Sequence, residues 1–295
     1  DNIVFAQNTH EFILRRLSCL PVEKTPHILT TDGEFHSFDR QIRRLEEDNL
    51  VAVTRIAIEP FDSFTARFAQ AAQGGAYDMV FFSHVFFNSG FCVPDISAIV
   101  AAVKNSDSFV VIDGYHAFMA LPVDWRALAD RAFYIGGGYK YAMAGEGACF
   151  MYCPPGFGAR PRNTGWFAGF GALANARDGS IGYGDDASRF AGATADISGL
   201  YRLCAVMAWL QKSGIDISDI HSHAHGLQKV FAEGLDAAGT QNLSRAQLAV
   251  PLSQPSRGNF LTFRTPAAAA ICETLLQKNV ITDRRGDCLR FGFGP

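Results

Sequence analysis

The sequence predicts a three-layer α/β protein, with a mainly parallel sheet between helices and a smaller α+β lobe at the C-terminal end. Three observations carry that prediction. Strand-sized apolar runs alternate with helical patterns through the first half of the chain, the arrangement that builds parallel sheets. Several runs are apolar almost throughout, as strands covered on both faces must be. From about Asp196 the alternation stops, and two long helical stretches are followed by short strands.

Residues 3–6, Ile-Val-Phe-Ala, already have the character of a core strand. Gln7-Asn8-Thr9-His10-Glu11 then reads as a helix start, with Asn8 as cap and Glu11 as its reciprocal partner, continuing to residue 17. Further strand-like runs lie at 27–31, 51–58, 79–85, 109–112, 133–135 and 149–152, with helical patterns at 38–47, 63–73, 96–103 and 125–129. In the second part we expect helices at 197–212, 218–237 and 267–278, and strands at 243–248, 259–265, 280–283 and 288–293. We place the lobe boundary near 195, giving a large lobe of 1–195 and a small one of 196–295. Both ends read as cut from a longer protein, because core-like runs lie almost at Asp1 and almost at Pro295. The N-terminal part of the large lobe, and pocket walls with it, are expected to be missing.

With 295 residues and 48% hydrophobic content, the chain can bury a large core. A net charge of −3 without any basic block argues against nucleic acid or an anionic membrane as partner. The apolar runs are too short to span a bilayer, and no secretory signal opens the chain. Seven cysteines with no CxxC pair fit reduced thiols in a cytoplasmic enzyme, and Cys149 and Cys153 read as core thiols. His221 and His225 stand four apart without the glutamate of an HExxH motif, so they read as a solvated helix face and no metal site is expected. No GxGxxG or Walker motif opens a helix, which argues against a nucleotide cofactor.

The chemistry is carried by two positions. Val110-Val111-Ile112 ends in Asp113-Gly114-Tyr115-His116, and Gly136-Gly137-Gly138 leads into Tyr139-Lys140. Asp113 falls where open α/β sheets bind ligands, just outside the carboxyl end of a strand. Lys140 is bracketed by apolar runs, and burial lowers a lysine pKa toward the nucleophilic range. A lysine that holds an aldehyde, with a buried acid that holds a pyridinium nitrogen, is the minimum equipment for pyridoxal 5′-phosphate (PLP) chemistry. The helix start at Asn8 and Thr9 offers free N–H groups and a favourable dipole for the cofactor phosphate. His116 can hydrogen-bond near the imine, and Tyr139 can donate its hydroxyl to the phosphate. Ser83 and His84 end another core strand and are expected to point into the same crevice. An aromatic ring at Phe35 or His36 can stack on the pyridine face. The triple glycine is expected to let backbone approach the ligand. Arg290, between apolar residues of the last strand, is either edge-exposed or a bidentate clamp for a substrate carboxylate.

Taken together these pieces resemble the class V aminotransferase group of fold-type I PLP enzymes, the PLP-dependent transferase-like fold, and within it the kynureninase branch. The pieces that carry the resemblance are Asn8-Thr9, Glu34-Phe35-His36-Ser37, Ser83-His84-Val85, Asp113-xx-His116, Tyr139-Lys140, Gly165-Trp166-Phe167, Arg189-Phe190, Gly192-Ala193-Thr194, Arg257-Gly258 and Leu289-Arg290-Phe291. The resemblance implies that Lys140 forms the Schiff base and Asp113 pairs with the pyridinium nitrogen. It implies that Phe35 stacks on the ring, that Thr9 and Tyr139 contact the phosphate, and that Arg290 holds the substrate α-carboxylate. It further implies a homodimer with active sites at the subunit interface, in which Trp166 and Thr194 reach the phosphate of the neighbouring subunit. The chain departs from the branch at Phe38, where an acid is usual, and at Thr194-Ala195-Asp196, where a Pro-Pro turn is usual.

The expected function is that of a PLP-dependent enzyme acting on an amino acid as its small-molecule substrate, kynureninase-like, with hydrolytic Cβ–Cγ cleavage of kynurenine or a related amino acid. The alternatives are a class V aminotransferase that uses a keto acid, a cysteine desulfurase-like lyase with Cys288 as its candidate thiol, and an inactive binding protein.

Overall fold

Val110-Val111-Ile112 forms the middle of the main sheet, because every residue of β5 (Phe109–Asp113) is buried. The structure, a computed structural model, describes residues 1–173, 179–240, 242–254 and 256–294. The large part of the chain runs β1 (Ile3–Ala6), α1 (Thr9–Leu17), β2 (His27–Thr31), α2 (His36–Glu47), β3 (Ala52–Ile56), α3 (Phe61–Gly74), β4 (Met79–Ser83), α4 (Ile96–Ala102), β5, β6 (Ala132–Gly137) and β7 (Cys149–Tyr152). These strands make one seven-stranded sheet in the order β1-β7-β6-β5-β4-β2-β3. Strands β3, β2, β4, β5 and β6 are parallel, whereas β7 runs antiparallel to both β6 and β1.

The period of two in the strands sorts their side chains into two cores. Val80, Phe82, Val110 and Ile112 pack with Phe64, Phe68, Ile99 and Val100 of α3 and α4. Met79, Phe81, Phe109 and Val111 pack with Phe12, Ile13, Phe38 and Ile42 of α1 and α2. Phe38 lies face to face with Phe81 at 3.7 Å, so the apolar residue at this position is a core contact. Arg16 is fully buried, its guanidinium has no hydrogen-bond partner among the described residues, and it lies over the rings of Phe109 and Phe133 at 3.7 and 3.8 Å.

Beyond two 3₁₀ turns (Trp166–Ala172 and Ala187–Phe190) come α5 (Ser198–Ser213), α6 (Ile217–Ala238), β8 (Phe260–Arg264), α7 (Ala268–Gln277), β9 (Asp283–Arg285) and β10 (Cys288–Gly292). The last three strands form a separate antiparallel sheet, β8-β10-β9, packed on Phe231 and Leu235 of α6. Among the described residues, no helix is long and apolar enough to cross a membrane.

Several expected elements differ. The expected helix at 125–129 is replaced by successive turns, with Leu128 N–H on Trp125 O and Arg131 N–H on Leu128 O, after an Asx turn in which Asp124 accepts Arg126 N–H at 3.1 Å. Residues 243–248 are not a strand: Ser244 and Gln247 form a reciprocal capping box around the 3₁₀ turn Arg245–Gln247, leaving one bridge, Leu248 to Phe263. Residues 280–282 stay outside β9, and Asn279 has a positive φ of 59° just before them. His221 and His225 are not on a solvated face. Their rings lie 3.9 Å apart, half-buried against the carbonyls of Ala120 and Arg257.

Candidate active site

Parallel strands that end together leave their carboxyl ends facing one crevice. Here Ser83 and Asp113, the last residues of β4 and β5, stand in register, and Ile135 of β6 stands beside Asp113. A cavity of about 230 Å³ opens at these ends, lined by Asn8, Thr9, Phe35, Ser37, Asp113, Tyr115, His116, Tyr139 and Lys140. A second chamber of about 550 Å³, lined among others by Tyr141, Phe260, Asp283 and Arg290, meets the first at His116 and Lys140.

Asp113 is 7% exposed, and its Oδ1 accepts the N–H of Tyr115 at 2.9 Å. Among the described residues nothing donates to its Oδ2. Burial pushes its carboxyl up to about 6, against the Tyr115 hydrogen bond and the nearby Lys140 charge, which lower it. A buried carboxylate with one uncommitted oxygen in a cavity fits a cationic ring nitrogen. Lys140 is half-buried, and burial together with the Arg290 guanidinium lowers its pKa, while Asp113 raises it. His116 is held neutral by desolvation first, then by the charges of Lys140 and Arg290.

The anion end is built by α1. Asn8 accepts the N–H of Glu11 at 3.2 Å, and Thr9 lines the cavity with its hydroxyl 3.8 Å from Cys149 Sγ. The reciprocal half of the expected capping box is absent, because Glu11 pairs with Arg15 at 2.9 Å instead. The donors at this helix start, the buried acid and the half-buried lysine fit the three ends of pyridoxal 5′-phosphate.

Other expected residues are distributed as follows. Phe35 lines the cavity, whereas His36 turns away to meet Arg285 at 2.9 Å and Phe87. Ser83 and His84 do not line it. Ser83 is committed to Glu34, and His84 is buried with Nδ1 unpartnered among the described residues, its imidazole pushed down to about 4 by desolvation. Tyr139 is 55% exposed beside the cavity. Trp166, stacked on Phe167 at 4.2 Å, and Thr194 are exposed and do not line this chain's own cavity. Arg290 lines the second chamber, where it donates to Phe87 O and pairs with Asp283. The space a side chain would take at Gly137 is filled by the Tyr115 ring at 2.6 Å, and at Gly136 by Phe150 at 2.8 Å. These two glycines therefore admit neighbouring rings, not a ligand.

Sequence reasoning passed over three residues. Tyr115 and Ser37 line the cavity, and both lay inside motifs already singled out. Glu34 is the third, a carboxyl 5% exposed beneath the strand ends, which burial pushes up to about 8 against the hydrogen bonds of Ser83 and Thr31.

The family model for Aminotransferase class-V matches residues 1–287. The chain is 26% identical over 224 residues to a kynureninase from Pseudomonas fluorescens, covering 74% of this chain and 51% of that protein. It is 24% identical over 209 residues to a probable cysteine desulfurase from Vibrio cholerae serotype O1, covering 68% and 48%. The chain thus spans about half the length of the curated relatives it matches. Its fold is similar to that of a cystine C-S lyase solved with its product cysteine persulfide (TM-score 0.80, 18% identity, 99% of this chain and 77% of that one). A mutant of that lyase, with glycine covalently linked to its PLP cofactor, is similar at a TM-score of 0.76 and 17% identity, covering 99% and 76%. At these identities the solved structures speak for the fold alone.

Proposed function

Because the chain belongs to the aminotransferase class-V family, we propose that its site holds pyridoxal 5′-phosphate and transforms an α-amino acid. The observation that carries this reading is Lys140 and Asp113 on one cavity, with the donors of the α1 start at its rim. When bound, the cofactor supplies an electron sink for bonds to the substrate α-carbon. Lys140 would hold its aldehyde carbon, and the depressed pKa of Nζ makes the neutral amine available to take and return the α-proton. Asp113 Oδ2 would keep the ring nitrogen protonated, Phe35 would cover one ring face, and Thr9 with the α1 N–H groups would bind the phosphate. His116, neutral and shared by both chambers, is placed to move a proton between substrate and water at its imidazole.

For the reaction itself we favour a kynureninase-like hydrolysis of the Cβ–Cγ bond, giving alanine and an acid. The supporting observation is the position of Cys288, because the similarities to a kynureninase and to a probable cysteine desulfurase are nearly equal and do not separate the two. That thiol sits in β10, paired across to Arg264 and Arg285, and is held as a strand residue where a desulfurase needs a moving nucleophile. Arg290 would receive the substrate α-carboxylate in exchange for Asp283. An aminotransferase is the second reading, and the two part on whether turnover needs a keto acid.

The test is to incubate the protein with PLP, reduce with borohydride and map the modified peptide. We expect the label on Lys140. A label on any other lysine removes the assignment. Kynurenine, cysteine and an amino acid plus keto acid, assayed in parallel, then separate the reactions.

A further inference from the structure

Most polar groups on the wall of the second chamber are already spent. Arg290 donates to Phe87 O and pairs with Asp283, and Asp283 has Arg285 Nε at 3.7 Å as a second partner. The Thr282 hydroxyl donates to Cys272 Sγ at 3.4 Å. Tyr141 is different. It is half-buried and packs against two apolar clusters, one containing Met119 and Leu203, the other Val85 and Phe260. Its hydroxyl makes no hydrogen bond among the described residues, although Tyr141 lines the chamber together with His116 and Lys140. A tyrosine hydroxyl that folding draws out of bulk water ordinarily finds a partner. One left open on a cavity wall is free for a ligand. Burial holds this phenol above its usual range, against the Arg290 charge, which lowers it, so the hydroxyl keeps its hydrogen and can donate.

We infer that Tyr141 is a specificity-determining residue of the proposed site, donating its hydroxyl hydrogen to an acceptor oxygen on an uncharged substrate side chain. The role rests on the reading that Lys140 holds the cofactor and Arg290 takes the α-carboxylate. With those two cations engaged and Asp283 turned to Arg285, no charged group among the described residues of this wall is left for a second carboxylate or an ammonium. Phe260, Phe293, Ile281 and Met143 give the rest of the side chain an apolar surface. Lys140 and His116 line both chambers, which places the substrate α-carbon at their junction. Tyr141 follows Lys140 on the wall of the chamber into which the side chain then extends, so a carbonyl close to the α-carbon is the acceptor that suits it. A donor fixed by its ring packing favours a ligand with that oxygen over one without it, since the ligand that lacks it leaves the donor unpaired.

The test compares wild type with Tyr141→Phe, using β-benzoylalanine and homophenylalanine as probes. The two amino acids share one skeleton and differ in a side-chain carbonyl against a methylene. Affinity is read on the PLP-loaded protein from the initial change in cofactor absorbance as each probe is added. Wild type should prefer β-benzoylalanine by roughly 10-fold, and Y141F should lose that preference while binding homophenylalanine as before. The melting temperature of cofactor-free Y141F should match that of wild type, because the substitution removes no bond within the fold. A preference that survives in Y141F, one absent from wild type, or an equal loss of both probes overturns the inference. So does a lower melting temperature, which would mean that the hydroxyl serves the fold. If borohydride labels Lys140 with PLP but neither probe binds, the role of Tyr141 falls and the cofactor reading stands. If the wild-type protein takes up no PLP, both fall.

Discussion

At the scale of single residues, Asp113 shows how a site can be built against stability. Its carboxyl titrates at about 6 in the fold and near 3.8 when unfolded, so the folded protein binds the proton more tightly. Stability from this group is therefore complete below about pH 4 and is lost as pH rises to about 6. Asp113→Asn keeps an oxygen for Tyr115 N–H but carries no charge to bury. Above pH 6 the cofactor-free variant should be more stable than wild type, by on the order of 2–3 kcal/mol for a shift of this size. With PLP and substrate it should be slower by roughly 100-fold or more, since a preorganised charge is lost where charge develops. Chemical denaturation and turnover measured on one preparation check both halves. An unchanged turnover removes Asp113 from its role.

Among the elements, α5 is what shapes the Lys140 loop. Arg202 on α5 donates to Ala144 O at 2.7 Å and to Glu146 O at 2.6 Å, just after the lysine. Gly199 lets the first turn of α5 close on this loop, for a side chain there would meet Gly147 C and Glu146 O at 2.6 and 2.7 Å. Gly199→Ala should cost about 1–3 kcal/mol, because backbone offers little room to shift, and should weaken PLP uptake along with stability. Gly234→Ala on α6 meets nothing within 4 Å and should stabilise by roughly 0.5–1 kcal/mol. Thermal melts of the two variants check the contrast, and a neutral G199A would show that α5 does not press on the loop. This contact was invisible in the sequence, as were the capping box around residues 245–247 and the turns at 125–129, since each depends on which backbone groups the fold brings within reach. The strands were legible because runs such as Val110-Val111-Ile112 are buried on both faces and carry no competing period. At the site, the strand-end acid and the glycine-led lysine stood out in the sequence. Glu34 did not, because nothing in Thr31-Asp32-Gly33-Glu34 shows that the chain folds its carboxyl inward under Ser83.

For the whole molecule, we propose that groups the chain's own cavity leaves unused serve a second copy, in the dimer that the resemblance implies. Trp166, Phe167 and Phe170 stack on one another at 4.2 to 5.6 Å, yet remain at the surface with at least 36% exposed. A contiguous exposed aromatic cluster of this kind fits an interaction surface, and in a twofold dimer each copy would present it to the other. If Trp166 and Thr194 complete the phosphate site of a second copy, a Trp166→Ala chain keeps its own Lys140 and lacks only what it gives away. Lys140→Ala has the reverse defect. Each variant alone should bind PLP poorly or turn over nothing, whereas mixing the two under conditions of subunit exchange should restore activity, because one hybrid site is then intact. Sedimentation should show a dimer for wild type and for both variants. Activity that stays absent in the mixture, with hybrids present, would mean that each chain completes its own site, and Trp166 would lose its place in the neighbour's.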